Sequence, residues 1–189
     1  MTSEEIKELL LSGENIHLEC KKAQSNVPAD VWKTYSAFAN TYGGLILLGV
    51  IEDLKEKNLG KRFTITGVDD ADKICKDFWN IINNPEKVNV NLLRDKDVET
   101  VVFDDKKVVA IQVPRADYDT RPIFINNNPL RGTFIRNHEG DYRCPEELVM
   151  MMLRDANHDG NDRLFLKHYT MDDIDIPPSA ISSGTRKDS

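Results

Sequence analysis

A chain of 189 residues is long enough to bury one sizeable core, and its 40% hydrophobic and 30% charged content is ordinary for a globular protein in water. The net charge of −7 has the wrong sign for a protein that coats nucleic acid by bulk attraction, so any such contact has to come from a local patch. No apolar run approaches a membrane span, the start MTSEEIKELL lacks a basic-then-apolar signal, and Cys20, Cys75 and Cys144 are too scattered for a disulfide framework or a zinc finger, which together point to a cytoplasmic protein.

In chain order, Ser3 before Glu4, Glu5, Ile6, Leu9 and Leu10 predicts a short capped helix. Ile16–Lys22 alternates, with Ile16, Leu18 and Cys20 on one face and His17, Glu19 and Lys21 on the other, the pattern of a half-buried strand. A helix follows from about Pro28, with Val31, Tyr35, Phe38 and Tyr42 at helical spacing and Gly43-Gly44 ending it. Leu45–Ile51 is nearly all apolar and predicts one strand buried on both faces.

After a basic connection over Lys55–Arg62, Val68–Asn83 reads as a helix with Ile74, Phe78, Ile81 and Ile82 inward. Val98–Phe103 and Lys107–Val113 flank Asp104-Asp105-Lys106 as a hairpin. Two short strands, Ile123–Asn126 and Thr133–Arg136, enclose the turn Asn126-Asn127-Asn128-Pro129. The last helix is expected over Pro145–Arg154, where Met150, Met151 and Met152 make it too apolar for one surface stripe and suggest either burial on several sides or a subunit contact. These elements predict a single α+β domain over residues 3–155, a mixed sheet packed by helices. Residues 156–189 read as an acidic connection and a disordered tail.

Two groups of residues carry chemistry. Glu19 and Lys21 sit two apart on one strand and so project from the same face. With Glu14 and Asp53 they form a constellation in which three carboxylates, brought together, would hold Mg²⁺ or Mn²⁺. Such an ion would activate water against a phosphodiester, with Lys21 offsetting charge on a phosphate oxygen. The second group is basic. The stretch Arg121–His138 contains Arg121, Arg131 and Arg136 and no acidic residue, and Phe134, Tyr142 and Arg143 interleave aromatics with it, a pattern suited to phosphate contacts and base stacking on DNA or RNA.

Other patterns fail on inspection. Gly43-Gly44 lies between a helix and a strand, and no Gly-Lys-Ser/Thr exists anywhere, so an ATP-binding phosphate loop is unsupported. The calcium-like Asp155-x-Asn157-x-Asp159-Gly160 lacks an acid at its twelfth position, Leu166.

The motifs Glu14, Glu19-x-Lys21, Ala37-Phe38-Ala39-Asn40-Thr41-x-Gly43-Gly44 and Gly49-Val50-x-x-Asp53, followed by Arg131-Gly-Thr-Phe-Ile-Arg136, resemble those of the Schlafen-type Alba-like domain. The resemblance implies a nucleic-acid-binding module, of the kind found in bacterial transcriptional regulators, with an arginine of the family pattern at Arg136. Some relatives are RNA endonucleases whose acidic trio looks like Glu14, Glu19 and an acid near Asp53. Eukaryotic relatives join two such lobes in one chain, which implies that a single lobe would act as a homodimer. A protein-interaction role without nucleic acid stands as the further alternative.

Overall fold

The computed structural model describes residues 1–12, 16–138 and 140–166, and its centre is a mixed four-stranded sheet. Helix α1 (Ser3–Ser12) leads to β1 (Leu18–Lys21), and α2 (Val31–Asn40) is followed by β2 (Gly44–Leu48). β1 and β2 run parallel, with Leu18 opposite Leu45 and Lys21 opposite Leu48. The chain then leaves the sheet through β3 (Val50–Glu52), the short α3 (Leu59–Arg62), β4 (Phe63–Ile65) and α4 (Ala71–Ile82). It returns as the hairpin β5 (Val98–Phe103) and β6 (Lys106–Val113), giving the order β1-β2-β6-β5 with β6 antiparallel to both neighbours.

The uninterrupted apolar character of β2 follows from burial on both faces. Ile46 and Leu48 point into a core shared with α2, α4 and Val109, Ile111 and Val113 of β6. Leu45 and Leu47 point the other way, against Ile6 and Leu10 of α1 and Val108 and Ala110. The expected single strand over Leu45–Ile51 is divided at Gly49. That residue adopts φ +99°, and a Cβ there would lie 2.8 Å from the Gly67 carbonyl carbon. Gly49 N–H still donates to Lys21 O, but its own carbonyl accepts from Thr66 and Gly67, so β3 turns away and pairs with β4.

The Ala-Phe-Ala-Asn-Thr-x-Gly-Gly motif is a set of joints. Gly43 N–H bonds to Phe38 O at 2.8 Å with φ +73°, closing α2, and a Cβ on Gly44 would lie 2.6 Å from the Phe38 ring. Asn40, buried, donates to Ile123 O (2.8 Å) and Phe134 O (3.0 Å) and accepts from Ile123 N–H (2.8 Å). Ser36 bonds Ile123 O and accepts from Phe134 N–H. Polar side chains of α2 thus satisfy the backbone where a neighbouring strand otherwise would.

For that reason the expected strand over Ile123–Asn126 is reduced to isolated bridges, Phe124 with Thr133 and Val88 with Ile125. After the one-turn α5 (Pro129–Gly132), β7 (Phe134–Asn137) pairs instead with β8 (Gly140–Arg143), a strand the sequence pattern did not indicate. Helix α6 runs over Glu146–Leu166, past the expected end at Arg154. It buries Val149 and Met152 against Cys144, Ile135 and Leu130 and leaves Leu148, Met150 and Met151 exposed.

Candidate functional site

The alternation of β1 sets Glu19 and Lys21 on one side, as expected, but that side is covered. Lys21 is 9% exposed and its ammonium donates to Asp30 Oδ2 at 2.7 Å and Glu19 Oε1 at 3.1 Å. Burial opposes its charge, yet the Asp30 hydrogen bond and the charges of Glu19 and Asp30 outweigh this and raise its pKa. Asp30 stands at the N-cap of α2 without capping it, its carboxylate turned to Lys21.

Arg136 completes the cluster. Its side chain is 2% exposed, with Nη1 at 3.0 Å from Glu19 Oε2 and 2.8 Å from Asp141 Oδ1. Nη2 donates to Leu18 O at 3.0 Å, and the guanidinium lies 5.1 Å from the Phe38 ring centre. Asp141 in turn accepts from the Thr34 hydroxyl at 2.6 Å. The acidic and basic groups that the sequence set apart therefore meet, Glu19 with Arg136, and each neutralises the other. The cluster joins β1, α2 and the β7–β8 hairpin.

Asp53 is elsewhere in role. It is exposed, its N–H bonds to Arg62 O, and its Oδ1 accepts from Lys55 N–H at 3.0 Å, shaping the turn after β3. Its neighbour Glu52 pairs with Arg62 at 2.7 Å. Burial, with the charges of Glu52 and Glu19, pushes the Cys20 thiol up, and Cys20 packs against the core on the α1 side of the sheet. Glu14 lies outside the described residues. Among the described residues no three His, Cys, Asp or Glu side chains are grouped to hold a metal ion, and Glu19 presents each of its oxygens to a cation.

The five basic-patch residues divide. Arg121 is 8% exposed, its Nη1 donating to Asn40 O and its guanidinium 4.1 Å from the Tyr118 ring centre, where it suits the carboxyl end of α2. Arg136 is committed to Glu19 and Asp141, as above. Both are withdrawn from phosphate contact by burial. Arg131, Phe134 and Arg143 remain at the surface, Arg131 and Arg143 exposed and Phe134 half-buried. Phe134 is directly opposite Arg143 in the hairpin register, so the two share a face.

Sequence reasoning missed Lys33, whose ammonium lies 5.3 Å from the Phe134 ring centre. On α2 it reads as an ordinary solvent-side lysine, and only the docking of β7 onto α2 gives it an aromatic neighbour. Asp30, Thr34 and Asp141 were missed for the same reason, because nothing local signals a partner supplied by a distant element.

A sequence profile described as Schlafen, AlbA_2 matches residues 14–145. The fold is similar to the solution NMR structure of the N-terminal domain of a RecG-related protein from Nitrosomonas europaea. The TM-score is 0.55 and the identity 24%, over 76% of this chain and 94% of that one. No curated protein matches the chain.

Proposed function

Because the chain belongs to the Schlafen AlbA_2 family, we propose that it is a nucleic-acid-binding domain that meets DNA or RNA through Lys33, Arg131, Phe134 and Arg143. The observation that carries this is the Lys33–Phe134–Arg143 grouping. It is an aromatic ring with a cation over it and another across the hairpin, neither of them ion-paired with a described carboxylate. Such a surface supplies phosphate neutralisation and a stacking plane in a protein whose net charge of −7 repels nucleic acid elsewhere. The fold likeness to a domain of a protein named for its relation to an ATP-dependent DNA helicase agrees with this reading.

The protein is read as part of a transcriptional-regulator-like system in the cytoplasm, where three free cysteines are at home. It acts as a homodimer through Leu148, Met150 and Met151, at 36%, 49% and 52% exposure an unusually apolar stretch of helix surface. Light scattering at micromolar concentration tests this, and a mass staying at 21.5 kDa ends it.

Fluorescence anisotropy with labelled DNA and RNA tests the interface. Arg131→Ala with Arg143→Ala should weaken binding to all sequences alike and reduce the log–log salt slope by about 1.4 to 1.8, at ~0.7–0.9 per phosphate. Unchanged affinity in the double variant would remove this surface from the function.

A further inference from the structure

We propose that the groove beside the C-terminal end of α2, between Tyr42 and Arg115, takes one unpaired nucleotide of single-stranded nucleic acid, its base on Tyr42 and its phosphate on Arg115. The proposal rests on the nucleic-acid-binding reading above but uses none of the same residues.

The groove has a volume of about 350 Å³ and is lined by His17, Tyr42, Gly43, Gln112, Pro114 and Arg115 among others. That is the small end of ligand pockets, enough for one base and its sugar. Tyr42 follows α2 and is 59% exposed although its helical spacing suggested an inward residue. It is held from one side by His17, whose ring lies edge-to-face with it at 5.8 Å and 73°. His17 Nδ1 in turn lies 3.3 Å from Gly43 O. A large aromatic plane is thus fixed at the surface with nothing packed over it from the core. Gln112 donates weakly to Gly44 O at 3.4 Å, which leaves its carbonyl oxygen as an acceptor for a base edge.

The charge at the groove is the second observation. Val113 leads into the loop that carries Arg115, Tyr118 and Arg121, tied to α2 by the Ala116 N–H bond to Ala39 O at 2.8 Å. Tyr118, 67% exposed, gathers both arginines, with Arg121 4.1 Å and Arg115 5.7 Å from its ring centre. The hydrogen bond from Arg121 and the charge of Arg115 lower the phenol pKa. Asp117 and Asp119 lie on the same loop, yet neither arginine forms an ion pair with a described carboxylate. Arg115, exposed and without an ion pair to a described carboxylate, beside an exposed aromatic plane matches the backbone-plus-stacking chemistry of single-strand binding. A duplex hides its base faces and cannot use Tyr42.

The test is anisotropy of labelled oligo-dT, oligo-U and a blunt duplex with the full chain. Tyr42→Ala should weaken both single strands by about 5- to 140-fold, the range expected for losing one stacked base, and leave the duplex unchanged. Tyr42→Phe should bind as the parent does. Arg115→Ala should weaken both single strands and cut the salt slope by about 0.7. Loss confined to oligo-dT or to oligo-U would assign the groove to that polymer. Single strands bound equally by Tyr42→Ala and the parent, or equal losses on single strand and duplex, would overturn the proposal. If those results came with a binding defect in the Arg131/Arg143 variant, only the groove would fall. A parent protein that binds no nucleic acid would overturn both readings.

Discussion

At one end of the β7–β8 hairpin, Arg136 is enclosed by Glu19, Asp141, the Leu18 carbonyl and the Phe38 ring, its side chain 2% exposed. At the other end, on the same face of the same two strands, Arg143 stands exposed opposite Phe134, with Lys33 over the ring. The two arginines differ in what α2 and β1 present to them. Beside Arg136 are the carboxylates of Glu19 and Asp141, and desolvation is tolerable only when every charge is paired. Beside Arg143 there is an aromatic ring and water, so its charge stays available. A basic residue stays available at the surface here by the absence of an acid across from it, which local sequence does not reveal.

The comparison predicts opposite outcomes for equal truncations. Arg136→Ala leaves Asp141 without a cation and Glu19 with Lys21 alone, and should destabilise the fold by about 3–5 kcal/mol in chemical denaturation. A variant as stable as the parent would show that the cluster does not hold the hairpin. Glu19→Gln keeps one accepting oxygen but turns an amide NH2 toward the other cation, losing one of the two contacts, for a smaller loss of about 1–3 kcal/mol. Metal-dependent RNA cleavage by the parent, abolished in Glu19→Gln with stability intact, would reassign the cluster from structure to catalysis.

Alkaline pH probes the same region. Lys21 has its pKa raised from 10.5, and burial pushes the Tyr35 phenol from 10.0 up to about 12. A folded pKa above the unfolded one means the native state holds the proton more tightly. The stability these groups contribute is therefore full below pH 10.0 and is lost as pH climbs through their folded values. Denaturation midpoints should fall from about pH 10 upward, and Lys21→Met should flatten part of that fall while leaving the Tyr35 part. An identical slope in Lys21→Met would remove Lys21 from the account.

Much of the architecture was legible because it rests on local rules. Alternation in residues 16–22, the doubly buried apolar run of β2 and the Asp104-Asp105 turn between β5 and β6 placed the sheet well. The departures are where a side chain or a glycine overrides the pattern. Gly49 at φ +99° divides a run that hydrophobicity alone reads as one strand. Asn40 and Ser36 satisfy the backbone of residues 123 and 134 that strand propensity would have given to a ladder. At the candidate site, residue types were readable but partners were not. Glu19 and Arg136 are over a hundred positions apart, and only the packing of β7 against α2 shows that they belong to each other.

The smallest expected effect on stability sharpens the comparison most. Lys33, in the first turn of α2, is the counterpart of Lys21 at the end of β1, but it sits over Phe134 without a carboxylate partner, whereas Lys21 is held by Asp30 and Glu19. Removing this half-buried cation from a ring should change the denaturation free energy by about 0.5 to 1 kcal/mol. The same charge, if it meets a phosphate, contributes about 0.7–0.9 to the log–log salt slope, so Lys33→Ala should lower that slope by one such step. Lys33→Gln should behave alike, because a neutral amide cannot release a counterion, while Lys33→Arg should restore both slope and affinity. Stability loss comparable to that of Arg136→Ala would place Lys33 in the structural cluster. A slope unchanged in Lys33→Ala would mean that the β7–β8 face is turned away from the nucleic acid.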